Sequence, residues 1–157
     1  QPGQRFNVTV DVSPGQYGIS AGEVAVGFNQ SVMKVVGVEA GGLLGPQPIF
    51  GLNETSNTAG TVRCAIARVG ATSTPTPNAT FVKIQFEVLG SAPAGSYPIS
   101  LTAAFADADF ANISSVAAQG GTVQIIMAQS VDYTLYIIFV VAAVAIIGGA
   151  LVFLRRR

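Results

Sequence analysis

Arg5-Phe6-Asn7-Val8-Thr9-Val10-Asp11-Val12 is the stretch that decides the fold class. Phe6, Val8, Val10 and Val12 alternate with Asn7, Thr9 and Asp11. Successive side chains of a strand point to opposite faces, so this stretch has one apolar and one polar face. The same period of two recurs downstream. Val24, Val26 and Phe28 share a face in residues 23–28, and Val62, Cys64 and Ile66 do so in 61–69. Val82, Ile84, Phe86 and Val88 do so in 81–89, opposite Lys83, Gln85 and Glu87. Tyr97, Ile99 and Leu101 form a further inward set, and residues 122–126 read as the last strand. Residues 32–39 are strand-like but show no clear inward face. Turn residues separate these runs: Ser13-Pro14-Gly15, the Gly/Pro stretch 41–48, and an exposed Thr/Pro loop at 71–78 that also suits O-glycosylation. A sheet with one apolar face must bury it on another, so the expected fold is all-β: an eight- or nine-stranded, jelly-roll-like β-sandwich.

That pattern stops near residue 126. From Tyr133 to Leu154 no residue is charged, and the chain then reads Arg155, Arg156, Arg157. Twenty-two helical residues span about 33 Å, against a hydrocarbon core of about 30 Å. The expected organisation is an outer domain over 1–126, a juxtamembrane segment over 127–132, one transmembrane α-helix over 133–154 and a tail over 155–157. The three arginines assign the tail to the cytoplasm and the N-terminal domain to the outside. Tyr133 and Tyr136 suit an interfacial anchor. An outer N-terminus implies a signal peptide already removed. Ala142, Ala145 and Gly149 fall on one helical face with Gly148 alongside, a small-residue surface suited to packing on another helix.

The outer part is poor in charge. Before residue 131 it has Arg5, Lys34, Arg63, Arg68 and Lys83 against seven carboxylates. Five of its six asparagines begin an Asn-x-Ser/Thr sequon: Asn7, Asn29, Asn53, Asn78 and Asn112; Asn57 does not. Ser and Thr are 22 of 157 residues, so chance gives about one sequon among six. The excess, on the outer side of a membrane, points to N-linked glycans that restore solubility. Cys64 is the only cysteine, so no intramolecular disulfide forms. Its inward position makes it a buried small hydrophobe. A membrane-held exterior rich in sequons and poor in cysteine reads better as archaeal than as bacterial.

Catalysis has little to work with. There is no histidine and one cysteine, which removes the common triads and zinc sites. Asp107 and Asp109 supply too few oxygens for calcium, which takes six to eight, and nothing marks a glycosidase cleft between them. They read as a solvated turn. No basic patch suits nucleic acid. There is no tryptophan and most Phe residues face inward, which disfavours sugar stacking. The expectation is a non-enzyme with no metal, no cofactor and no small-molecule substrate.

Residues from Phe6 to about Ile126 resemble a cohesin module. Phe6-Asn7-Val8-Thr9-Val10-Asp11-Val12 is similar to the family's first strand, and Val26-Gly27-Phe28-Asn29-Gln30-Ser31-Val32-Met33-Lys34-Val35-Val36-Gly37-Val38-Glu39 to its strand–turn–strand pattern. Gly42-Leu43-Leu44-Gly45 is similar to the loop that follows. Ala92-Pro93-Ala94-Gly95-Ser96-Tyr97-Pro98-Ile99-Ser100-Leu101, Phe105-Ala106-Asp107 and Gly121-Thr122-Val123 resemble the closing part. The resemblance departs at Asn29-Gln30, where the family commonly has Asp-Pro after the aromatic. It implies a nine-stranded jelly roll and, more weakly, dockerin binding. No recognition residue carries over one by one.

These readings converge on a membrane-anchored, extracellular protein–protein interaction module, cohesin-like, for adhesion or scaffolding at the cell surface. Its expected partners are membrane or cell-surface proteins and the lipid bilayer. The alternatives are an accessory single-span subunit of a respiratory, transport or surface-layer complex, and a carbohydrate-binding module.

Overall fold

Eleven strands make up the regular structure of the computed structural model, which describes residues 3–70, 75–127, 135–138 and 142–146. In chain order they are β1 (Arg5–Ser13), β2 (Ala21–Gly27), β3 (Met33–Ala40), β4 (Ile49–Ser56), β5 (Thr61–Ala67) and β6 (Ala79–Val88). Then come β7 (Gly95–Ala106), β8 (Val116–Gln119), β9 (Gly121–Met127), β10 (Leu135–Ile138) and β11 (Ala142–Ile146). They form two sheets, ordered β3-β6-β1-β11-β8 and β10-β9-β7-β2-β5-β4.

Alternation produces this arrangement in the way the sequence implies. Phe6, Val8, Val10 and Val12 of β1 are buried, as are Val24 and Val26 of β2, Val62, Cys64 and Ile66 of β5, and Val82, Ile84, Phe86 and Val88 of β6. Each sheet thus turns an apolar face to the other, and burial of those faces is the main favourable term. Aromatic edges lock the two layers. Phe28, after β2, meets Phe86 of β6 edge-on at 5.2 Å, and Phe105 of β7 meets Phe81 of β6 in the same way at 5.2 Å. Phe6 stacks on Phe86 at 5.5 Å within the first sheet.

Three departures from the sequence reading have local causes. Residues 32–39 showed no inward face because β3 carries a bulge between Val35 and Gly37. The extra residue breaks the period of two, so Met33 and Val35 are buried while Val36 is 37% exposed. β4 was not anticipated. It is an edge strand with most of its side chains exposed, so burial imposes no apolar alternation on it. β8 escaped notice because it is four residues long and mostly exposed.

Of the expected helix over 133–154, only two short stretches lie among the described residues. Within that run, Leu135–Ile138 and Ala142–Ile146 are strands rather than helix. β10 pairs antiparallel with β9, and β11 lies parallel to β1 and antiparallel to β8. An uninterrupted apolar run carries no period that separates buried strand from buried helix. Its Val and Ile content suits a strand, and the edge of β1 offers unpaired backbone groups to receive it. The rest of the expected span and residues 155–157 lie outside the described residues. Among the described residues no helix is long and apolar enough to cross a membrane.

Candidate functional site: an apolar sheet face beside Phe110

The outer face of the β7-β2-β5-β4 sheet is unlike an ordinary solvated surface. The residues alternating with the buried Val24 and Val26 are Ala21, Glu23 and Ala25. Register sets Ala67 of β5 and Ala106 of β7 on either side of Ala21, and Ala65 and Ala104 on either side of Glu23. Toward the Ala21 end, methyl groups therefore replace the polar side chains that an outward face usually carries. This alanine floor lines an open groove of about 330 Å³, together with Gly51 of β4, Phe110 and Asn112. On the adjoining edge strand, Ile49 is 59% exposed and Phe50 also reaches solvent.

Phe110 is the most exposed large apolar residue of the described chain, at 68%. It also has φ of 60°, the only positive value at a non-glycine among the described residues. A bulky side chain in that region costs on the order of 1–3 kcal/mol and persists only when its surroundings dictate it. Asp107 supplies the constraint. Its Oδ1 accepts the backbone N–H groups of Asp109 and Ala111, both at 3.0 Å. The Phe110 N–H donates to the Asp107 carbonyl at 3.1 Å, and the Asp107 N–H to the Ala111 carbonyl at 3.0 Å. An Ala106–Asn112 bridge and the Ile113 N–H on the Phe105 carbonyl at 2.9 Å tie the loop back to β7. Asp107 and Asp109 thus form a turn, as read from the sequence, and that turn holds a phenyl ring out over the groove.

Charge lies beyond the alanine floor. Arg63 of β5 donates from Nη2 to Glu23 at 2.8 Å and stands 3.8 Å from Glu54. The Glu23 hydrogen bond, then its charge, raises the guanidinium pKa further above its ordinary value. One cation between two carboxylates leaves this end of the face acidic. On the outer face of the opposite sheet, Glu87 of β6 takes Lys34 at 2.8 Å and Arg5 at 3.2 Å, and Lys83 stands 3.7 Å from Glu39. The Lys34 hydrogen bond, opposed by partial desolvation and aided by Arg5, holds the Glu87 carboxyl below its usual range. Both outer faces thus carry cross-strand ion pairs, and the β7-β2-β5-β4 face also carries a bare apolar patch.

The residues singled out from sequence are dispersed. Asn7 is exposed on the outer face of β1, Asn53 on β4, Asn78 just before β6, and Asn112 beside the groove; Asn29 is half-exposed in the β2–β3 turn. Ala142 and Ala145 fall in β11, while Gly148, Gly149, Arg155, Arg156 and Arg157 lie outside the described residues. Cys64 is fully buried, and burial pushes its thiol up to about 11. Among the described residues no group of three or more His, Cys, Asp or Glu side chains is placed to hold a metal. Sequence reasoning missed Phe110. Its signal was an aromatic residue in the otherwise small and polar segment Asp107-Ala108-Asp109-Phe110-Ala111-Asn112.

The family model of the cohesin domain matches residues 1–125. Among solved structures, the chain is similar to the sixth cohesin of scaffoldin B from Acetivibrio cellulolyticus, solved in complex with a Cel5 dockerin. Identity is 21%, 71% of this chain and 82% of that chain are covered, and the TM-score is 0.57. It is also similar to a non-cellulosomal cohesin from the hyperthermophilic archaeon Archaeoglobus fulgidus, at 15% identity, 71% and 73% coverage and TM-score 0.55. A type II cohesin from the Acetivibrio cellulolyticus cellulosome matches at 14% identity, 73% and 81% coverage and TM-score 0.60. No curated protein matches the chain. At these identities the solved structures establish a common fold, and the family model covers most of the sequence. The chain therefore belongs to the cohesin domain family, whose members are non-catalytic modules that act by binding other proteins.

Proposed function

We propose that this domain binds a dockerin-type protein partner on the outer face of β7-β2-β5-β4, and that it does so at the cell surface. The observation that carries the reading is Phe110, held over an alanine-floored groove by a loop whose backbone is strained to display it. Flat floors of small side chains admit close approach, and a projecting aromatic is the residue type that most often dominates binding energy. The acidic Glu23–Arg63–Glu54 cluster at the other end suits a partner that brings a basic side chain beside its apolar surface. A solved relative complexed with a dockerin supports the partner class.

The surface location rests on the sequence. The 22 uncharged residues before three arginines suit a bilayer-spanning helix with the sandwich outside. Pairing in β10 and β11 engages the backbone of Leu135–Ile138 and Ala142–Ile146; in a bilayer a helix satisfies its own backbone instead.

The binding test uses the full chain in detergent or nanodiscs against a panel of dockerin modules, followed by calorimetry. Phe110→Asp is expected to weaken binding by about 2 kcal/mol or more, that is, at least about thirtyfold in Kd, with the melting temperature unchanged or raised. Binding unaffected by Phe110→Asp removes this face as the site. No binding to any dockerin returns the partner class to the open set of surface proteins.

A further inference from the structure

The asparagine side chains divide into two groups by what their amides do. Asn57 is the one asparagine outside a sequon, and both ends of its amide are engaged. Its Oδ1 accepts the Val35 N–H at 2.7 Å, and its Nδ2 donates to the Val35 carbonyl at 3.0 Å. At the five sequon asparagines, no Nδ2 donates a hydrogen bond to any described residue. Asn29 uses only its Oδ1, which accepts from the backbone and hydroxyl of Ser31, the third residue of its own sequon. Asn7, Asn53, Asn78 and Asn112 are exposed. A structural amide needs its nitrogen; a glycan acceptor must leave it free. The division follows the sequons without exception.

Asn112 has a further property. It lines the same groove as Phe110, two residues away, where the chain bridges back to Ala106. A saccharide on its Nδ2 starts beside the exposed phenyl ring. The C–H faces of sugar rings pack on aromatic faces, and a covered Phe110 removes the most exposed large apolar side chain among the described residues. Asn7, by contrast, stands on the outer face of the opposite sheet, opposite Gln85.

We propose that the five sequon asparagines are N-glycan acceptors and that the glycan on Asn112 lies over Phe110, controlling access to the apolar face. Modification requires an oligosaccharide activated as a lipid-linked phosphate or diphosphate, with the host's transferase. Nδ2 forms a bond to sugar C1, the C1–O bond breaks with its electron pair leaving on the phosphate, and one Nδ2 proton passes to base. The control of access rests on the binding reading above; occupancy and coverage of the ring do not.

The experiment takes the full chain, made in a host that glycosylates its surface proteins and held in nanodiscs. Glycopeptide mass spectrometry reads occupancy at each site, with Asn57 as the internal reference. Hydroxyl-radical footprinting then reads the exposure of Phe110 in the wild type, in Asn112→Gln and in Asn7→Gln. The expected result is sugar at the five sites and none at Asn57, with Phe110 oxidation several-fold faster in Asn112→Gln and unchanged in Asn7→Gln. An unmodified Asn112 overturns the proposal, as does equal oxidation of Phe110 with and without the Asn112 glycan. Neither readout uses the partner, so a failed glycan leaves the Phe110→Asp binding test standing, and a failed binding test leaves these outcomes unchanged.

Discussion

Single residues show what the period of two does and does not encode. Cys64 was read as buried from its place between Val62 and Ile66, and it is. Its thiol, raised to about 11 by burial, is protonated at neutral pH, and the thiolate is the reactive form. A disulfide-exchange reagent at pH 7 is therefore expected to label Cys64 only in denaturant; rapid labelling of the native protein would contradict its burial. Phe110 shows the opposite case. Its exposure follows from Asp107 capturing two backbone N–H groups, an arrangement invisible until the chain turns back to bridge Ala106 and Asn112. In sequence Asn57 differs from the other asparagines by its missing sequon alone, whereas the pairing of its amide with Val35 is tertiary.

At the scale of elements, strands buried on one face were legible and edges were not. β1, β2, β5 and β6 are central or near-central and alternate cleanly. β4 and β8 lie at sheet edges, where exposure on both sides frees side-chain choice, so pattern gives no signal. β2 adds a constraint that no pattern displays. Gly22 sits opposite Phe105, and a Cβ there would meet the Phe105 ring and, at 3.1 Å, that of Phe81. The glycine is what lets the Phe81–Phe105 edge contact form beneath the alanine floor. Gly22→Ala forces those rings apart and is expected to cost about 1–3 kcal/mol, read as a lower denaturation midpoint. An unchanged midpoint would mean that the rings repack without strain.

The whole molecule has two unlike sides and one segment with two ways of satisfying its backbone. Ion pairs cross strands on both sides, but alanines meet only on β7-β2-β5, and the pairing order is what brings them together. The segment 133–154 pairs in part with β9 and β1, whereas its length and lack of charge suit a bilayer. A charge at the bilayer centre costs about 2.5–3.5 kcal/mol on insertion scales. If the run spans, the full chain stays in the membrane pellet through alkaline carbonate washing and Val144→Lys is released. Release of the unaltered chain would leave β10 and β11 as its resting place.

The sequence by itself determined the all-β class, the inward sets of the central strands, the burial of Cys64, the turn at Asp107 and the set of sequons. Each of these depends on neighbours within a few residues, where strand period and turn chemistry act directly. The sandwich's order of strands, the bulge in β3, the alanine floor and the exposed Phe110 were decided only by the tertiary structure. They depend on which strands lie side by side, and residues such as Ala21, Ala67 and Ala106 are brought together by backbone pairing across the chain.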